Sequence, residues 1–159
     1  MLDQAFASDL THLPPLLLSS EDHDRLTGLA RALATSHKQG DAQLLMEELY
    51  RADVIPPYWM PEGIVRMNSH VEFKDDRTGR IRCVQLVYPQ EADIGHGRIS
   101  VLSPVGTAML GLAAGQSIGW SSNDRRRPRL TVLRVSAQPF EVPGGRLIGE
   151  EPSPVPEGG

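Results

Sequence analysis

One cysteine, Cys83, is all that 159 residues contain. A single thiol closes no internal disulfide, and no His/Cys spacing reads as a zinc site. Aromatic residues are scarce at 5%. Apolar runs such as Leu16-Leu17-Leu18 are far shorter than the ~20 residues a membrane span needs. Met1-Leu2-Asp3-Gln4 lacks the basic flank and apolar stretch of a secretory signal. No P-loop, Rossmann glycine pattern, nucleophile elbow or metalloprotease motif is present. The expectation is a monomeric, cytoplasmic protein with no membrane partner, no bound metal and no cofactor.

What is present is a 40% hydrophobic content, enough for one packed core. The net charge of −4 hides three parts: −6 over residues 1–63, +5 over 64–135 and −3 over 136–159. Asp75, Asp76, Glu91 and Asp93 interrupt the basic middle, so direct nucleic-acid contact is at most secondary.

Residues 1–18 hold one candidate short strand at Leu16–Leu18. Ser19 and Ser20 offer an N-cap, with Glu21, Asp22 and Asp24 in a first turn where the helix dipole favours acids. Leu26, Leu29, Ala30 and Leu33 follow at helical spacing. Gly40 suits a left-handed stop, and Asp41 can cap a second helix carrying Leu44, Leu45, Leu49 and Ala52. Residues 19–55 therefore read as a short antiparallel helical hairpin, ~17 residues per helix and ~25 Å long. A Pro-rich connector, 56–63, follows. Its Tyr58, Trp59 and Met60 are expected to pack against a neighbouring domain. Residues 64–136 read as a small α+β domain of about five short strands and one helix near Gly106–Leu112. Residues 137–159 read as a disordered acidic tail rich in Pro and Gly.

Residue by residue, no catalytic constellation emerges. Cys83 lies in a predicted strand and reads as a buried small hydrophobe. The five histidines share no ligand spacing. Glu91 and Asp93 can hold Mg²⁺, but a loop bonding its own backbone explains them better. Arg125-Arg126-Arg127-Pro128-Arg129 reads equally as a phosphate contact or a solvated turn.

The stretch Glu91-Ala92-Asp93-Ile94-Gly95-His96-Gly97-Arg98-Ile99-Ser100-Val101-Leu102-Ser103-Pro104-Val105-Gly106-Thr107-Ala108-Met109-Leu110-Gly111 is more specific. It resembles the C-terminal domain of the bacterial Gre transcript-cleavage factors. Met67-Asn68-Ser69-His70-Val71-Glu72-Phe73, Leu86-Val87-Tyr88-Pro89 and Leu110-Gly111-Leu112 look like one branch, the regulator of nucleoside diphosphate kinase (Rnk) family. The resemblance implies an FKBP-like domain, an antiparallel sheet with one short helix, behind a helical hairpin of coiled-coil type. It also implies docking on RNA polymerase at the rim of the secondary channel. Carried over, it nominates Leu102, Ser103, Pro104 and Val105 as polymerase-binding. Ser103 and Pro104 equally suit the start of a helix, as N-cap and first residue.

The hairpin tip departs from the Gre pattern. Gre factors bring two acids there to help hold Mg²⁺. Here His37, Lys38 and Asp41 stand in the tip, with a single acid among residues 36–41. The expected function is a non-catalytic polymerase-binding regulator competing with Gre-type factors. The alternatives are an FKBP-like prolyl isomerase and a transcript-cleavage factor.

Overall fold

The computed structural model describes residues 14–36, 39–119, 129–142 and 146–148. Its first layer grows from Leu16. Strand β1 (Leu17–Ser19) runs directly into helix α1 (Ser20–Leu33). Ser19 is the N-cap, its Oγ accepting from the Asp22 N–H at 3.1 Å, with Glu21 and Asp22 in the first turn. Helix α1 ends without the left-handed glycine that the sequence led us to expect. The N–H and Oγ of Ser36 both donate to the Leu33 carbonyl, which closes the helix end. Helix α2 (Gln39–Arg51) starts before Asp41, so Gly40 lies inside its first turn. Ala42, Leu45 and Leu49 face inward, opposite Leu26 and Ala30 of α1. Nε2 of His23 joins the helices through the Leu49 carbonyl at 3.1 Å. The helices have 14 and 13 residues, so the arm is about 20 Å long, shorter than expected.

Strand β2 (Asp53–Ile55) follows and pairs parallel with β1 in a two-stranded sheet. Three residues carry too little period to announce a strand. A single 3-10 turn, Pro57–Trp59, follows, and of the three connector residues expected to pack on a domain only Met60 does so, half-buried in a cleft it shares with Val135. Tyr58 and Trp59 do not pack against a domain; they are 79% and 68% exposed. Proline at the start of the turn fixes its backbone, and the two rings meet edge to face at 5.8 Å.

The head is a five-stranded sheet in the order Arg98–Ser100 (β5), Ile81–Val87 (β4), His70–Asp75 (β3), Arg129–Ser136 (β7), Ser117–Gly119 (β6). Strands β3 (His70–Asp75) and β4 (Ile81–Val87) pair antiparallel across a turn in which Asp75 Oδ1 accepts from the Arg77 N–H. Strand β7 (Arg129–Ser136) lies on the other side of β3, and β6 (Ser117–Gly119) pairs antiparallel with β7. The sheet is not wholly antiparallel, as expected from the resemblance, but mixed. Strand β5 (Arg98–Ser100) runs parallel to β4 because two 3-10 turns, Pro89–Glu91 and Ile94–His96, first carry the chain back along the edge. Helix α3 (Pro104–Met109) covers one face.

The region after residue 136 is also not structureless throughout. Strands β8 (Phe140–Val142) and β9 (Arg146–Ile148) form an antiparallel hairpin. Phe140 is buried, with the Arg134 guanidinium 4.5 Å from its ring centre. A composition-based reading averaged this anchor away. The acidic residues from 149 onward, and the arginines at 125–127, lie outside the described residues.

Arm and head share one core. Leu16, Leu18, Leu26 and Leu45 belong to the same buried cluster as Val65, Leu86, Met109 and Leu130. The Leu17 N–H donates to the Gly111 carbonyl at 3.1 Å, and Asp22 Oδ2 accepts from the Met67 N–H at 3.3 Å. Burial in this seam raises the Asp22 carboxyl above its ordinary range. Among the described residues no helix is long and apolar enough to cross a membrane.

Candidate functional site

The Ser103–Pro104 turn is built by hydroxyl groups bonding backbone. Ser103 Oγ accepts from the Gly106 N–H at 3.0 Å and donates to the Ser100 carbonyl at 2.7 Å. Ser100 Oγ accepts from the Leu102 N–H at 3.0 Å, and Thr107 Oγ1 donates to the Val101 carbonyl at 2.6 Å. Ser103 is the N-cap of α3 and Pro104 its first residue. Gly106 packs so closely on Ser100 that a Cβ there would collide with the Ser100 carbonyl oxygen.

Of the four nominated head residues, Pro104 is exposed, while Ser103 and Val105 are half-buried. Leu102 is 6% exposed and packs in the core, so it offers a partner little surface. At the arm's tip, His37 and Lys38 lie outside the described residues. Asp41 is exposed in the first turn of α2. Glu48 is held away from the tip: it pairs with Arg51 at 2.9 Å, and Arg51 donates also to the Pro14 carbonyl at 2.7 Å.

Residues 14–55 match the family described as "Rnk N-terminus", and residues 60–137 match "Transcription elongation factor, GreA/GreB, C-term". The "Regulator of nucleoside diphosphate kinase" of Escherichia coli (strain K12) is 39% identical over 107 residues, covering 67% of this chain and 78% of that one. This chain belongs to the Rnk family. Its head is also similar to "Transcription elongation factor GreA" of Allorhizobium ampelinum, 38% identical over 85 residues. That likeness spans 54% of each chain. Among solved structures, "Prokaryotic transcription elongation factor GreA/GreB from Nitrosomonas europaea" aligns with a TM-score of 0.60 and 36% identity. It covers 77% of this chain and 98% of that one.

Two further polar clusters in the head of this Rnk-family chain bond within the fold. Asp93 exchanges two backbone bonds with Arg98 at 2.9 Å, and its Oδ2 meets His96 Nδ1 at 2.6 Å. The His96 bond holds the Asp93 carboxyl below its ordinary range. Cys83 is half-buried, and its Sγ donates to Glu72 Oε2 at 3.7 Å. Burial, reinforced by the Glu72 charge, pushes the thiol up to about 11, so it is no nucleophile at neutral pH. Among the described residues no group of three side chains is placed to hold a metal ion.

A cleft of about 370 Å³ between the connector and the end of β7 is lined by Met60, Pro61, Ile64 and Val135 and by no aromatic ring. Sequence reasoning missed the aromatics that the fold leaves exposed. Their signal was the proline on either side of Tyr58 and Trp59, which denies them a helix or strand in which to be buried.

Proposed function

We propose that this Rnk-family protein is a non-catalytic regulator of transcription that docks by its head on RNA polymerase near the secondary channel. It competes there with Gre-type factors. The observation that carries the reading is one chain joining a Gre-type head to an arm of about 20 Å with a single carboxylate in its tip. A lone acid so near the head cannot deliver the second metal ion that hydrolysis needs. Any effect on nucleoside diphosphate kinase then runs through transcription. The prolyl-isomerase alternative wants an aromatic-lined pocket, and residues 64–135 offer it only Phe73, Tyr88 and Trp120.

A pull-down with core RNA polymerase tests the docking. The wild type is expected to be retained and to be displaced by excess Gre factor. Pro104→Ala, which trims the exposed apolar corner of the turn, is expected to weaken retention several-fold with an unchanged circular-dichroism spectrum. Unchanged retention of the variant removes Pro104 from the contact. No retention of the wild type removes the reading.

A further inference from the structure

Lys74, Arg77, Arg80, Arg82 and Arg129 gather at the end of the sheet where β3 turns into β4 and β7 begins. The backbone fixes their places. The Asp75 N–H donates to the Arg80 carbonyl at 2.8 Å, and the Asp76 N–H donates to the Arg129 carbonyl at 2.9 Å. Arg82 lies opposite Phe73, and Lys74 lies opposite Thr131. Lys74 Nζ and Arg129 Nε reach the same carboxylate, that of Asp76, at 4.0 and 3.8 Å. Arg77, Arg80, Arg82 and Arg129 are exposed, and Lys74 is half-buried. The acids of this end are tied into the fold. Asp75 Oδ1 accepts from the Arg77 and Thr78 N–H groups at 2.9 and 3.4 Å, and both Asp76 oxygens accept from Thr131 Oγ1 at 2.9 Å. Five bases against Asp75 and Asp76 leave a charge of +3. In sequence, the stretch joining β6 to β7 carries Asp124 against Arg125, Arg126 and Arg127, the same sign. Glu72, further back along β3, is held by Arg134 at 2.9 Å. The seam with the acidic arm is remote. Met67, bonded to Asp22 of the arm, lies just before β3, and the turn lies at the far end of that strand, about 20 Å on. That is about two Debye lengths at ~0.1 M salt.

Positive charge held in this way fits a polyanion. Single-stranded nucleic acid binds largely by stacking on rings, and among the described residues no aromatic side chain is exposed at this end. An acidic peptide must order each carboxylate side chain and gains from apolar anchors. Ile81 is the one large apolar side chain exposed here among the described residues. Duplex DNA needs neither ring nor anchor, because counterion release from its backbone supplies non-specific affinity. Strands β4, β3 and β7 lie ~4.8 Å apart, so the bases spread over about 10 Å, a length of duplex that carries about six phosphates. Arginine, which forms four of the five bases, forks onto phosphate oxygens. We propose that this end of the sheet makes a weak, sequence-independent contact with the sugar–phosphate backbone of duplex DNA. It shares no residue with the Ser103–Pro104 turn and is tested without polymerase, so failure here leaves the polymerase reading standing, and the converse holds.

The test is fluorescence anisotropy of a labelled duplex of about 20 base pairs, titrated with the full chain at roughly 50 mM salt. Binding is expected at about 10–100 µM, equal for duplexes of unrelated sequence, and weakening with salt at a log–log slope of about 3. Arg80→Gln with Arg129→Gln, both at exposed positions and checked for fold by circular dichroism, is expected to weaken binding about tenfold and to lower the slope by about two. Arg98→Gln, at an exposed base on β5, is expected to leave binding within about twofold of wild type. Oligoglutamate and single-stranded DNA of equal charge are expected to bind several-fold more weakly than the duplex. The proposal is overturned by no change in anisotropy at ~1 mM chain, by a double variant that binds as wild type does, by an equal loss from Arg98→Gln, or by oligoglutamate or the single strand matching the duplex.

Discussion

Gly106→Ala is expected to lower the melting temperature by roughly 5–10 °C, about 2–3 kcal/mol of lost stability. Helix propensity alone gives the opposite sign, since Ala is favoured over Gly by up to about 1 kcal/mol inside a helix. Contact decides it. A Cβ at residue 106 would collide with the Ser100 carbonyl oxygen and lie 2.9 Å from Ser103 Oγ. The obstacle is mainly backbone, pinned by β5 and by the Ser103 bonds, so little can yield. The turn carrying Pro104 would be pushed off the sheet, and polymerase retention should fall with it. Gly28→Ala is the control. That glycine lies in α1 with nothing within 4 Å of its Cβ position. It should gain about 0.5–1 kcal/mol. Thermal unfolding of both variants checks the pair; a stabilised Gly106→Ala contradicts the packing described.

Leu26→Ala is expected to cost about 3 kcal/mol and to do so in a single transition. Leu26 is fully buried on α1 and belongs to the same core as Leu86 and Leu130 of the sheet. A cavity there weakens the arm and the head at once. Amide hydrogen exchange should show β3 and β4 losing protection together with α1 and α2. Leu44→Ala, on the exposed side of α2, should stay within about 0.5 kcal/mol of wild type. Exchange that rises in the helices while the sheet is unchanged would mean that the two parts unfold separately.

Local chemistry was legible in the sequence. Ser19 as N-cap, Ser103 before Pro104, the Asp75–Gly79 turn and the inward stripe of α1 each depend on residues within a few positions of one another. The Rnk-type pattern was legible for the same reason, because it lies in contiguous stretches. Long-range pairing was not. Nothing near Asp53 says that it will lie beside Leu17, and nothing in Arg98–Ser100 says that it will run parallel to β4. Burial at the candidate site split along the same line. Leu102 and Val105 look alike as letters, but Leu102 is buried and Val105 only half-buried, while Pro104 between them stays exposed. Phe140 was hidden by its surroundings: an aromatic anchor in a stretch whose average composition reads as uncollapsed chain. Tyr58 and Trp59 were misjudged because large rings are usually buried, and the prolines around them override that tendency here.

A stalled elongation complex with backtracked RNA tests the central claim most directly. With the Rnk-family protein alone, the transcript should keep its length. With a Gre factor present, rising amounts of the protein should progressively suppress cleavage. Shortened RNA from the protein alone at Gre-like rates, or Gre cleavage untouched at saturating protein, would contradict the account.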